Sequence, residues 1–275
     1  MACFACLSNL SKSHLSRRPM SVKKASYATI FIAGVFLFSA CGGVTTADPA
    51  ASETTATPTP TPTYAVGDAG PGGGIIYYVD NAGFSCGASY SATGSPTGGK
   101  CEYLEVAPSG WNATAETAGL IWAVSANQAA DVSGIANDVS GIANDLSIYN
   151  NALGIGLGYK NSDLIVAQGN DTTTAAGAAR AYTNNAKTDW YLPTTAELNL
   201  LCQWNRGVAQ DVEVACTGGI INTGTGASGS GFVDNAYWSS SEVGAEVTLF
   251  QSFIDGLQYD YYKYGADYVR PVRAF

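Results

Sequence analysis

The sequence predicts an α+β domain with antiparallel sheet, few helices and long loops. Three observations carry that expectation. β-branched and aromatic runs occur at Ile75-Ile76-Tyr77-Tyr78-Val79 and again from residue 236 onward, while only one segment has a complete helix-start signature. The 32 Gly and 16 Tyr suit turns and strands better than a helical bundle. Hydrophobic residues make up 46% and charged residues 13%, too apolar a mixture for a disordered chain.

Taken in order, the chain opens with an export pattern. Arg17, Arg18, Lys23 and Lys24 precede an apolar run from Ala28 to Phe38, which leads into Ser39-Ala40-Cys41. A basic segment, a short apolar stretch and small residues before a cut predict a signal peptide over residues 1–40, with Met20 a better start for it than Met1. The run falls short of the ~20 residues a spanning helix needs. Cys41 after small residues resembles the lipobox of bacterial lipoproteins, with Phe38 where that motif commonly has Leu. The resemblance implies a diacylglycerol on the Cys41 thiol and an anchor at the outer face of the cell membrane. Residues 41–63 end in alternating Thr and Pro and read as an extended tether. A globular domain is expected over residues 64–275.

Within it, Gly72-Gly73-Gly74 leads into a first strand at Ile75–Val79, closed by Asp80-Asn81. Gly83 to Lys100 reads as a loop. Tyr103–Ala107 is a second strand stopped by Pro108, and Trp122–Val124 a third. Residues 132–138 and 139–145 repeat Val-Ser-Gly-Ile-Ala-Asn-Asp, placing Val132, Ile135, Val139, Ile142, Leu146 and Tyr149 at helical a/d spacing. Asp138 and Asp145 do not match the spacing of an EF-hand loop. Ala175–Tyr182 is Ala-rich and expected helical. Thr194, followed three residues later by Glu197, is a capping box that starts a helix with Leu198, Leu200 or Leu201, and Trp204 facing inward. The cap accounts for Glu197 without a catalytic role. Strands at Ala236–Ser241 and Val247–Phe253 precede a tight turn at Asp255-Gly256. A last strand over Val269–Phe275 is expected to tie into the core sheet, with Arg270 and Arg273 on opposite faces and one of them paired to a buried carboxylate. Trp190, Trp204 and Trp238 lie in or beside these elements and are expected in the core.

Charge and cysteine chemistry narrow the function classes. Beyond residue 40 the chain has 22 acidic side chains and only Lys100, Lys160, Lys187, Lys263, Arg180, Arg206, Arg270 and Arg273 on the basic side. Polyanion binding draws its strength from cationic contacts, so no nucleic-acid partner is expected. The single histidine, His14, lies inside the signal segment, which leaves no imidazole for Ser-His-Asp or Cys-His catalysis or for a metal site. No cofactor is expected. Cys86, Cys101, Cys202 and Cys216 permit three pairings, and local spacing favours Cys86–Cys101 and Cys202–Cys216.

Four segments in order resemble one family: Val66-Gly67-Asp68-Ala69-Gly70-Pro71-Gly72-Gly73-Gly74-Ile75-Ile76, Trp190-Tyr191-Leu192-Pro193-Thr194 with Glu197-Leu198, Tyr237-Trp238-Ser239-Ser240-Ser241-Glu242, and Val269-Arg270-Pro271-Val272-Arg273. They are similar to the Lcl C-terminal-domain family, the C-terminal domain of collagen-like bacterial adhesins. The resemblance implies a C-type-lectin-like fold in which N- and C-terminal strands pair and a long loop region projects. It also implies cell-surface exposure, adhesion to a glycan or a surface protein, and a homotrimer. Two features depart from the family: no collagen-like repeat precedes the domain, and the acidic surface does not suit a sulfated polysaccharide. A more distant resemblance, to formylglycine-generating and related oxidase enzymes, rests on Leu192-Pro193-Thr194, Glu197 and the C-terminal Arg strand. Those enzymes use a paired cysteine site, whereas here the cysteines sit near Gly83, Gly87, Gly218 and Gly219, where stapling is the simpler role.

The leading expectation is therefore a non-catalytic binding module. Tyr rings stack on sugar faces and their hydroxyls hydrogen-bond, which makes Tyr259, Tyr261, Tyr262 and Tyr264 the candidate ligand surface. Against this stands ordinary strand packing, which is expected to put Tyr262 and Tyr264 in the core and Tyr259, Tyr261 and Lys263 on the wetter face. The rival classes are an envelope enzyme working through Asp255 or Glu242, and a purely structural surface protein.

Overall fold

The glycine-rich entry to the domain is built around one carboxylate. In the computed structural model, which describes residues 63–88, 99–135, 154–224 and 231–275, the Glu105 side chain is fully buried and accepts from Gly72 N (3.1 Å) and Gly74 N (2.7 Å). A Cβ on Gly74 would stand 2.0 Å from the Val106 carbonyl oxygen, so no larger residue fits there. This loop delivers the chain into β1 (Ile75–Cys86), which pairs antiparallel with β2 (Gly99–Val106). β8 (Val272–Ala274) pairs with the other side of β2. The first and last strands thus share a sheet of order β1-β2-β8, with β2 between them rather than in the direct pairing that the family resemblance implies.

The Gly83–Lys100 loop expectation is corrected here: β1 runs on through Phe84 and Ser85 to Cys86, opposite Gly99 to Cys101. Irregularities in the register between Val79 and Phe84, with Gly83 at φ +74°, break the alternation that would have marked a continuous strand. The Cys86–Cys101 disulfide therefore joins two paired strands. The third strand is also displaced. β3 is Leu120–Ile121, paired with β7 (Ala266–Asp267), while Trp122 and Ala123 instead donate their N–H groups to the Lys263 carbonyl. The last strand is shorter than expected because Pro271 has no N–H to offer a ladder; β8 starts one residue later.

Among the described residues there are three α-helices: α1 (Gly158–Ala167), α2 (Ala175–Ala181) and α3 (Thr195–Arg206). α3 has the expected box, with Thr194 Oγ1 accepting from Glu197 N and the Glu197 carboxylate accepting from Thr194 N. It stops at Gly207, which is left-handed. Leu198, Leu200 and Leu201 are buried and Trp204 is partly so. The Cys202–Cys216 disulfide, also fully buried, clips α3 to the segment that follows it. α1 is not expected from the sequence, since its buried face carries Asn161 and Ser162, which bond to Ser240 O and to the Leu192 backbone.

Two apolar cores result among the described residues. One gathers Trp122, Trp238, Leu192, Val269 and the alanines of α2. The other gathers Ile75, Tyr77, Leu104, Val106, the α3 leucines, Phe232, Tyr237 and Phe253. Trp190 and Trp238 are fully buried, as expected. Val132 and Ile135 of the first heptad copy are buried, whereas the second copy, with Val139, Ile142, Leu146 and Tyr149, lies outside the described residues. The signal segment and Cys41 lie outside them too, and no helix among the described residues is long and apolar enough to cross a membrane.

Candidate functional site

The second sheet, of order β4-β5-β6, carries the tyrosines. β4 (Ala236–Glu242) pairs with β5 (Val247–Ser252), which pairs with β6 (Gln258–Tyr262) at the edge. The β5–β6 connection turns at Gly256, φ +80°, where a Cβ would stand 1.5 Å from the Cys216 carbonyl oxygen. Register sets the two faces: Phe250 lies opposite Tyr259, Thr248 opposite Tyr261, and Trp238 opposite Phe250. On this face the Tyr261 ring lies 6.2 Å from that of Trp238 at 24°, and the Tyr259 ring 5.6 Å from that of Phe250. On the opposite face Gln258 turns inward, its Nε2 donating to Thr195 O and to Gln251 Oε1, both at 2.9 Å.

All four candidate tyrosines are exposed, Tyr259 at 41%, Tyr261 at 44%, Tyr262 at 45% and Tyr264 at 57%. Packing of Tyr262 and Tyr264 in the core is thereby corrected. Their rings stack on each other, 5.1 Å apart and 9° from parallel. The placement of Lys263 on the wetter face is also corrected, because its side chain is fully buried. The cause is local. β6 ends at Tyr262, and a turn breaks the strand alternation just where the Glu242 carboxylate pairs with Lys263 Nζ. The ammonium also donates to Ala130 O (2.8 Å) and lies 5.0 Å from the Trp122 ring centre, while Glu242 accepts from Val132 N. One buried cation thus pins the segment between two exposed tyrosines and the segment around residue 131.

Other carboxylates are tied into structure. Glu242 is itself buried, and burial raises its carboxyl above the ordinary range against the hydrogen bond from Lys263. Asp255 sits in the exposed turn, where Tyr259 donates to it at 2.7 Å. Burial pushes the Asp255 carboxyl up, but hydrogen bonds from Ser252, Tyr259 and Leu257 outweigh it and leave the carboxyl below its usual value. Glu197 accepts from Tyr191 Oη (2.8 Å) and Gly156 N (2.9 Å) as well as from the cap, and burial pushes it up to about 7. Both arginines of the last segment, rather than one, meet buried or half-buried acids: Arg270 pairs with Glu116, and Arg273 with Glu105 (2.9 Å) and Asp189 (2.8 Å). Among the described residues, no group of three or more His, Cys, Asp and Glu side chains converges as metal ligands; Asp138 and Asp145 lie outside those residues.

The arrangement at β6 can present flat amphipathic rings beside acceptors. Asp255 and Asp260 flank the tyrosines, and the hydroxyl of Tyr259 already shows how such a ring can be oriented. Lys263, like Tyr262 and Tyr264, lies on the other side from the one that strand alternation predicts, and the signal that could have found it was a lone Lys in a tyrosine-rich segment with Glu242 on β4. No family model matches the chain, and no curated protein matches it.

Proposed function

We propose that the protein is a non-catalytic binding module, held by an acylated Cys41 at the outer face of a bacterial cell membrane, that takes a neutral glycan on its tyrosine face. The observation that carries this reading is the joint exposure of Tyr259, Tyr261, Tyr262 and Tyr264 on and beside one edge strand. Tyr supplies a rigid apolar ring and a polar tip at low entropic cost, which suits the C–H faces and hydroxyls of a sugar. The excess of acidic over basic side chains disfavours a polyanionic ligand. The resemblance to the Lcl C-terminal-domain family agrees with this role. Two disulfides fit an oxidising, extracytoplasmic setting.

The test is a glycan array probed with the full chain. At least one neutral glycan is expected to bind, and Tyr259→Ala with Tyr261→Ala to weaken it about tenfold or more, roughly 1.4 kcal/mol. Circular dichroism would verify that the variant is folded. Absence of binding, or binding indifferent to the substitutions, would count against the tyrosine face; self-association without a ligand would favour a structural surface protein. Anchoring is checked separately. Metabolic labelling with a fatty acid should mark the wild type and not Cys41→Ser, and the variant should leave the membrane fraction.

A further inference from the structure

We propose that the outer edge of β6 takes an extended segment of a basic protein as an added strand. The inference uses the backbone of that edge and the Asp260 carboxylate, and does not rest on the glycan reading. β6 ends the order β4-β5-β6, and among the described residues no other strand or bridge pairs with it. Its five residues, Gln258–Tyr262, pair with β5 without a break in register. On either side of them, Leu257 O accepts from Ser252 N (2.8 Å) and Lys263 N donates to Glu246 O (3.0 Å). In an antiparallel ladder, successive residues turn their N–H and C=O alternately toward and away from the neighbouring strand. Tyr259 and Tyr261 therefore face β5 with their backbone groups, while those of Asp260 and the N–H of Tyr262 point out of the sheet edge. The Tyr262 carbonyl accepts from Gly265 N (2.8 Å).

Edge strands are commonly guarded against such pairing by Pro, Lys, a bulge or a covering element. β6 contains no Pro or Lys, its register is unbroken, and Tyr259 to Tyr262 are all exposed. Its one charged residue, Asp260, decides the partner. Two copies of the chain paired about Asp260 would set that carboxylate against its own counterpart, and like charges directly opposite are destabilising. The formal charge of −9 on the chain adds to the repulsion. A strand with Lys or Arg opposite Asp260 meets the opposite sign instead. Period-two alternation puts Tyr262 on the same face as Asp260, so the cationic side chain also finds an aromatic ring beside its partner. That ring is backed by Tyr264, 5.1 Å away and stacked on it. Main-chain hydrogen bonds give affinity in this mode of recognition, and alternate side chains give specificity.

The test is panning of random linear peptides on phage against the full chain, with the enriched peptides then synthesised and their binding read by fluorescence polarisation and by NMR amide exchange. Enriched peptides are expected to alternate β-branched residues with Lys or Arg, and their binding to slow exchange of the Asp260 and Tyr262 amides. Asp260→Lys should weaken them about tenfold or more, and panning against that variant should select acidic peptides. Asp260→Asn, which keeps the size of the side chain, repeats the loss should Asp260→Lys fail to fold. The proposal is overturned if no peptide is enriched, if the enriched ones carry no basic excess, if the Asp260 variants bind them unchanged, or if neither amide is slowed. Slowing of the same amides by protein concentration alone would put a second copy on the edge and overturn it as well. No sugar enters these assays, so their failure leaves the glycan reading standing, and an empty glycan array leaves this one standing.

Discussion

Single residues in this domain hold several buried charges, and their chemistry sets the first two expectations. Glu197 ionises at an ordinary value of 4.5 when unfolded and at about 7 in the fold. Between those values the folded state keeps a proton that the unfolded chain has released, so rising pH favours unfolding across that window. Asp267, pushed up to about 6 by burial, acts in the same direction. At 1.36 kcal/mol per unit, the Glu197 effect is about 3 kcal/mol at most. Thermal unfolding should therefore show a melting temperature several degrees higher at pH 5 than at pH 8, with a flatter profile in Glu197→Gln. A profile that instead rises with pH would contradict the buried-acid reading. Lys263 makes the second case. Removing one partner of a fully buried pair leaves the other charge unmatched, which costs about 3–5 kcal/mol. Chemical denaturation should show that loss in Lys263→Met, and Lys263→Met with Glu242→Leu should recover much of it.

Individual elements were legible to different degrees, for identifiable reasons. α3 was readable because Thr194 and Glu197 stand three apart before a leucine-rich face, and that local signal survives into the structure. α1 was not, because its N-cap Leu157 makes no side-chain cap and its inward face spends Asn161 and Ser162 on backbone partners far along the chain. Those partners exist only after folding. Short β3 and the extension of β1 past Gly83 were hidden in the same way, since both depend on their pairing strand rather than on their own composition. The tyrosine face was partly readable: the residues and the turn at Gly256 were visible, but exposure hung on Lys263 turning inward. Local spacing did reveal both disulfides. Each closes a loop of about 15 residues, worth roughly 3 kcal/mol in the chain-entropy model. Replacing Cys202 and Cys216 by Ala should lower stability by that order in equilibrium unfolding. An unchanged midpoint would mean that packing around α3 supplies the restraint by itself.

At the scale of the whole molecule, remote segments meet around buried ions. Glu105 on β2 joins the glycine loop near residue 72 to Arg273 on β8, and Arg273 in turn reaches Asp189. The Glu105–Arg273 contact faces the pairing of β2 with β8, where Glu105 lies opposite Arg273 in register. Such contacts are costly to form early, because a long stretch of chain must be closed before they repay it. The central strand β2 gains its second neighbour only when residues 272–274 have been synthesised. Until the ribosome has delivered them, the nascent chain lacks the clasp that completes its sheet.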